Sequence, residues 1–109
     1  MTAAVKSELD RIVDALVETG IVSKIILFGS YARGDESTDS DIDLCVLTSE
    51  KDRRPIDIAI ELRWKIYDIL KKPLDLFARN QDDFSYRASY VGSLEHIIAK
   101  EGVVLYECS

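Results

Sequence analysis

The stretch that decides the fold is FGSYARGDESTDSDIDLC, residues 28–45. It begins where Ile21–Phe28, rich in β-branched and aromatic residues, predicts a buried strand. Residues 29–40 are mostly Gly, Ser, Asp and Thr, which predicts a loop with one helical turn at Tyr31–Arg33. The apolar pattern resumes at Asp41–Thr48 as a second strand. A polar loop therefore connects two strands of one sheet.

Outward from this stretch, apolar spacing predicts three helices and two more strands. The helices are expected at Ala3–Thr19, Ile56–Lys71 and Ser89–Glu101, and the strands at Leu74–Ala78 and Val103–Tyr106. Residues 80–86 are polar and are expected to be irregular. The order α-β-β-α-β-α-β predicts one domain, residues 1–109, built on a small mixed sheet flanked by helices.

Three aspartates predict a metal site. Because strand side chains alternate between faces, Asp41 and Asp43 point the same way, and Ile42 points to the buried side. Two carboxylates about 7 Å apart along a strand repel each other unless a cation lies between them. Asp75 lies between two leucines and would be a costly unpaired charge in an apolar strand. Grouping all three explains them together, and Mg²⁺ prefers such oxygen ligands.

The pattern also indicates phosphoryl-transfer chemistry. A carboxylate triad can hold two metal ions about 4 Å apart for an in-line displacement, with Asp75 accepting a proton from the attacking hydroxyl. Gly29 would let the backbone approach a phosphate, and Ser30 would offer its N–H and hydroxyl. Arg33 could bind the same phosphates through a bidentate contact. The structural alternatives are a turn-rich loop around the strand aspartates, a helix-capping role for Asp75 and a solvated surface position for Arg33.

Gly-Ser, ten residues and then Asp-x-Asp resembles the signature of the DNA polymerase β-like nucleotidyltransferase superfamily, met here by Gly29, Ser30, Asp41 and Asp43. Within that superfamily the chain is similar to the minimal nucleotidyltransferases (MNT proteins), with Asp75 matching their third carboxylate. The resemblance implies an α+β, polymerase β palm-like fold. It also implies Mg²⁺-dependent transfer of a nucleotide, usually AMP from ATP, to an acceptor hydroxyl.

The resemblance further implies a partner. MNT proteins commonly pair with a helical HEPN protein as antitoxin and toxin, and the antitoxin adenylylates a tyrosine hydroxyl of the toxin. Two alternatives remain: a catalytically quiet module that neutralises a partner, and a stand-alone enzyme that modifies small molecules.

The second helix carries apolar residues on two sides. One side is expected to pack inward, and the other contains Ile56, Ile60, Trp64 and Tyr67. Either the helix is sandwiched within the fold, or this second side docks a partner or another copy of the chain. Docking is favoured because so short a chain has little material to cover both sides, and Trp64 is expected near the centre of the contact.

Composition excludes several classes of function. The net charge of −6 argues against a general nucleic-acid binder. No stretch approaches the roughly 20 apolar residues of a membrane span, and Met1–Asp10 lacks a signal-peptide layout. Cys45 and Cys108 form no metal-like pair, and Cys45 is expected to be buried. A cytoplasmic protein is the resulting expectation, while the acceptor, the preferred nucleotide and the oligomeric state stay open.

Overall fold

The computed structural model describes residues 1–108, in which four strands form one mixed sheet in the order β3-β2-β1-β4. Strand β1 is antiparallel to both β2 and β4, whereas β2 and β3 are parallel. The elements are α1 (Ala3–Val17), β1 (Val22–Phe28), α2 (Ser30–Arg33), β2 (Ile42–Thr48), α3 (Pro55–Ile66), β3 (Leu74–Asn80), α4 (Gln81–Ala88), α5 (Leu94–Glu101) and β4 (Val103–Glu107).

Both faces of the sheet are covered by helices. The larger core lies between one face and helices α1 and α3, and it includes Ile12, Leu16, Ile42, Leu44, Ile58 and Leu62. The smaller core lies on the other face under α4 and α5, and it consists of Ile26, Cys45, Leu47, Phe84 and Ile98. Because side chains alternate along β2, Asp43 lies on the face of Cys45, opposite Ile42 and Leu44. The expected α+β fold with a mixed sheet between helices is confirmed.

The predicted second helix is five residues too long. Helix α3 ends at Ile66, and Ile69 N–H donates to the Ile66 carbonyl in a tighter turn. Leu70 N–H donates to the same carbonyl, and the N–H groups of Lys71 and Lys72 then donate to the side chain of Glu8 on α1. A contact with a distant part of the chain therefore holds the segment that follows the helix, and the local pattern gave no sign of it.

The region after β3 also differs from the prediction. Residues 80–86, expected to be irregular, contain most of α4, because the Asn80 side chain accepts from Asp82 and Asp83 N–H and caps the helix. Helix α5 begins at Leu94 instead of Ser89. Ser93 is its N-cap, and Gly92, with φ of 98°, turns the chain just before it.

Helix α3 has one buried and one exposed apolar side. Its exposed side contains Ile56, Ile60, Trp64 and Tyr67, which are 59%, 49%, 73% and 66% exposed. The sandwiched alternative is therefore wrong, and docking on this side stays a prediction. Within residues 1–108 no helix combines the length and the apolar character needed to span a membrane.

Candidate active site

The sheet brings two of the three predicted carboxylates into direct register. Asp43 on β2 and Asp75 on β3 are Cα partners in the parallel ladder. Neighbouring strands lie roughly 4.8 Å apart, so both side chains leave the same face side by side. Asp41 lies one residue before β2, at the same end of the sheet. The three aspartates thus share one end of the sheet, on the face opposite the larger core.

The carboxylates affect one another electrostatically. The pKa of Asp43 is raised, first by burial and then by the negative charges of Asp75 and Asp41, while the positive charge of Arg33 opposes the rise. Within residues 1–108 none of the three carboxylates accepts a hydrogen bond or forms an ion pair. Their repulsion is therefore only partly offset, by one arginine.

Gly29 packs directly against Asp43. Its backbone has φ of 74° and ψ of −153°, a conformation almost restricted to glycine. A Cβ placed on Gly29 would overlap with the Asp43 carboxylate. Ser30 follows as the first residue of α2, a single turn closed by Gly34 in the left-handed conformation. The Gly-Ser segment is thus held against one aspartate of the cluster.

Arg33, at the end of α2, has two electrostatic partners. Its Nε lies 3.2 Å from Asp35 Oδ2, and its side chain is 49% exposed. Its charge also lowers the pKa of Asp43. Arg33 therefore combines the solvated surface position with the proximity to the aspartates that a phosphate ligand would need.

The expected reason for grouping Asp75 with the others was wrong, although the grouping itself is present. Asp75 is exposed, because β3 is an edge strand of the sheet, so its charge incurs little burial cost. The β2–β3 register places it beside Asp43. Two carbonyls of β3 accept from arginines: Leu76 from Arg63, which lies on α3, and Ala78 from Arg79.

The cluster suits a hard cation in its chemistry. Within residues 1–108 no group of three or more His, Cys, Asp or Glu side chains is placed to hold a metal ion, so it is the chemistry of the donors that supports a cation site. The three aspartates offer only oxygen donors, and their mutual repulsion would be relieved by a divalent cation. Cys45, on the same face, is fully buried, and burial raises the pKa of its thiol to about 12, so it offers no thiolate ligand.

Two aromatic rings beside the aspartates were missed at the sequence level. Phe28 is the cross-strand partner of Asp43, and Phe77 follows Asp75 by two residues on the same face. Their ring centroids lie 5.5 Å apart in an edge-to-face arrangement, and the Arg79 guanidinium lies 4.7 Å from the Phe77 centroid. The spacing of Asp75, Phe77 and Arg79 at every second residue of a strand could have predicted that these three side chains share one face.

Known proteins resemble the chain in sequence and in structure. A Methanocaldococcus jannaschii protein named "Putative protein adenylyltransferase" is 33% identical over 87 residues, which make up 80% of this chain and 81% of that protein. The crystal structure of a "putative nucleotidyltransferase" from Sulfolobus solfataricus aligns with a TM-score of 0.61 at 16% identity, covering 98% of this chain and 89% of that one. A chain from the complex of tri-AMPylated Shewanella oneidensis HEPN toxin with MNT antitoxin aligns with a TM-score of 0.60 at 20% identity, covering 94% and 72%.

The two structural similarities confirm the expected fold. The family described as "Polymerase beta, Nucleotidyltransferase" matches residues 10–109, nearly the whole chain. That match spans the Gly-Ser segment and all three aspartates. The chain therefore belongs to the polymerase β nucleotidyltransferase family and is a nucleotidyltransferase.

Proposed function

We propose that the protein transfers AMP from ATP to an acceptor hydroxyl with Mg²⁺ bound at Asp41, Asp43 and Asp75. The observation that carries this proposal is the direct register of Asp43 and Asp75, two carboxylates that accept no hydrogen bond and form no close salt bridge within residues 1–108. Such an arrangement destabilises the protein alone and becomes favourable when a divalent cation binds.

Each site residue has a distinct role in this proposal. Two bound Mg²⁺ ions would lower the pKa of the acceptor hydroxyl and offset charge on the triphosphate. The acceptor oxygen bonds to the α-phosphorus as the bond to pyrophosphate breaks. Asp75, the exposed member, takes the acceptor proton. Gly29 and Ser30 hold the leaving phosphates through backbone and hydroxyl contacts, and Arg33 adds a positive charge there.

We further propose that the acceptor is a tyrosine hydroxyl on a HEPN-type protein and that the chain acts as its antitoxin. The named activity of the Methanocaldococcus jannaschii relative, protein adenylylation, supports a protein acceptor. The shared fold with a chain of the tri-AMPylated HEPN toxin–MNT antitoxin complex supports the partner class. The exposed side of α3 offers a docking surface, and the exposed position of Asp75 on an edge strand is open to a large acceptor. The setting that we propose is the cytoplasm, with residues 1–109 acting as one domain and nucleic acid not bound directly.

The chemistry can be tested in two steps. Calorimetric titration with Mn²⁺, a substitute for Mg²⁺, should show binding to the parent protein and at least tenfold weaker binding to Asp43→Asn. Incubation with Mg²⁺, α-labelled ATP and the HEPN-type protein of the same genome should label that protein. Asp41→Asn and Asp43→Asn should abolish the labelling. Equal labelling by the double Asn variant would refute the proposed site.

The alternatives predict other outcomes of the same experiment. An interaction module would form a stable complex with the HEPN-type protein without labelling it, and Mn²⁺ would bind weakly or not at all. A stand-alone enzyme would consume ATP with small hydroxyl-bearing acceptors and would ignore the protein partner.

A further inference from the structure

Glu8 is a buried carboxylate that the proposed chemistry does not use. It lies on the core side of α1 and is only 3% exposed. Its Oε1 accepts from Lys71 N–H at 2.6 Å and from Lys72 N–H at 3.3 Å, and no Lys or Arg side chain in residues 1–108 forms an ion pair with it. Burying a carboxylate is costly, and two backbone donors offset part of that cost. An apolar residue would suit this position better if it served packing alone.

The segment that Glu8 holds contacts both aspartate-bearing parts of the chain. The Pro73 carbonyl accepts from Ile42 N–H at 3.1 Å, where β2 and β3 begin to pair. Lys72 Nζ donates to the Thr38 carbonyl at 3.2 Å, in the loop that leads to Asp41. Glu8 therefore holds the backbone of Lys71 and Lys72 directly before Pro73. Pro73 lies two residues before Asp75 and is bonded to the first residue of β2.

We propose that Glu8 is a positioning residue for the aspartate cluster. By holding the backbone of Lys71 and Lys72, its carboxylate fixes where β3 begins, and with it the separation of Asp75 from Asp41 and Asp43. A shared cation requires that separation to stay within a few tenths of an ångström of the metal–oxygen geometry. This inference rests on the proposed function, because it gives those aspartates a cation to share.

The test compares Glu8→Ala with Glu8→Gln, whose amide oxygen can accept the same two N–H bonds. Ile12→Val, at a fully buried position of the same helix, is the control for lost packing. Mn²⁺ affinity measured by calorimetry should fall about tenfold in Glu8→Ala, the scale seen when an outer contact of a metal site is removed. It should stay within about twofold of the parent in Glu8→Gln and in Ile12→Val.

Hydrogen exchange provides a second readout that needs no metal. The N–H group of Ile42, which donates to the Pro73 carbonyl, should exchange faster in Glu8→Ala than in the parent, and at the parent rate in Glu8→Gln. If Glu8→Ala does not fold, Glu8→Met replaces it. Its side chain fills a similar volume without a carboxylate to accept the two N–H groups, and Mn²⁺ affinity should again fall about tenfold.

The outcomes separate the two proposals. A parent protein that binds no Mn²⁺ refutes the proposed function, and the exchange rates then decide the role of Glu8 alone. Parent-like Mn²⁺ affinity in Glu8→Ala, or an equal loss in Glu8→Ala and Glu8→Gln, overturns the positioning role. Unchanged exchange at Ile42 overturns it as well.

Discussion

Replacing Gly29 with alanine tests the contact that defines one side of the site. The new Cβ would occupy backbone angles almost restricted to glycine and would overlap with the Asp43 carboxylate. The backbone strain costs about 1–3 kcal/mol, and turning Asp43 away from its rotamer costs about 0.5–1.5 kcal/mol. Alanine also lowers the conformational entropy of the unfolded chain, which stabilises the folded state by about 0.4–1 kcal/mol. We expect Gly29→Ala to lower the free energy of unfolding by roughly 2–3 kcal/mol.

Gly34 supplies a matched control. It also has a positive φ, 80°, but a Cβ there would meet no atom within 4 Å, so Gly34→Ala incurs only the left-handed backbone strain. Its cost should be roughly 1 kcal/mol. Urea denaturation followed by far-ultraviolet circular dichroism measures both, because Trp64 is 73% exposed and its fluorescence would report folding poorly.

A double-mutant cycle isolates the contact itself. In an Asp43→Ala background the overlap disappears, and Gly29→Ala should be less destabilising by about 0.5–1.5 kcal/mol. The reasoning is refuted if Gly29→Ala costs no more than Gly34→Ala and the coupling energy with Asp43→Ala is near zero. That result would mean that the Asp43 carboxylate does not pack against Gly29 in solution.

Three further predictions concern other parts of the molecule. Because the pKa of Asp43 is raised in the folded state, metal-free stability falls as pH rises above the unfolded value of 3.8. Asp43→Asn should therefore be more stable than the parent by roughly 0.5 kcal/mol at pH 7, with no gain at pH 3, in urea titrations; a less stable variant at pH 7 would contradict this. Trp64→Ala should weaken association with the proposed HEPN-type partner about tenfold in surface plasmon resonance, while changing stability by under about 0.5 kcal/mol. Equal association would remove the α3 docking surface. Asn80→Ala should cost about 1 kcal/mol and speed hydrogen exchange in α4, since it removes the cap; unchanged exchange would refute the capping role.

Local patterns were enough to find most of the fold. All four strands were predicted within two residues at each end, because runs of β-branched and apolar residues between turn signals leave few other conformations. Because side chains alternate along a strand, the Asp-x-Asp spacing also predicted the correct face for Asp43. These features depend only on neighbours along the chain.

The errors arose where distant residues decide the outcome. The local pattern extended helix α3 to Lys71, whereas the helix ends at Ile66 and the N–H groups of Lys71 and Lys72 bond to Glu8, more than 60 positions away. The position of Asp75 depends on the pairing of β3 with β2. The sequence predicted that Asp75 lies beside the other aspartates because it would be buried, but Asp75 is exposed on an edge strand. Asn80 as a cap and the Phe28–Phe77 ring pair were local or periodic signals that could have been recognised.

Because Asp75 is exposed on an edge strand, the proposed protein acceptor would reach its carboxylate from the side of the sheet. Residues at so exposed a sheet edge would contribute little to the choice of acceptor. Selectivity would then depend on surfaces that recognise the substrate at a distance, and new surface residues on α3 could redirect the same chemistry to a different protein.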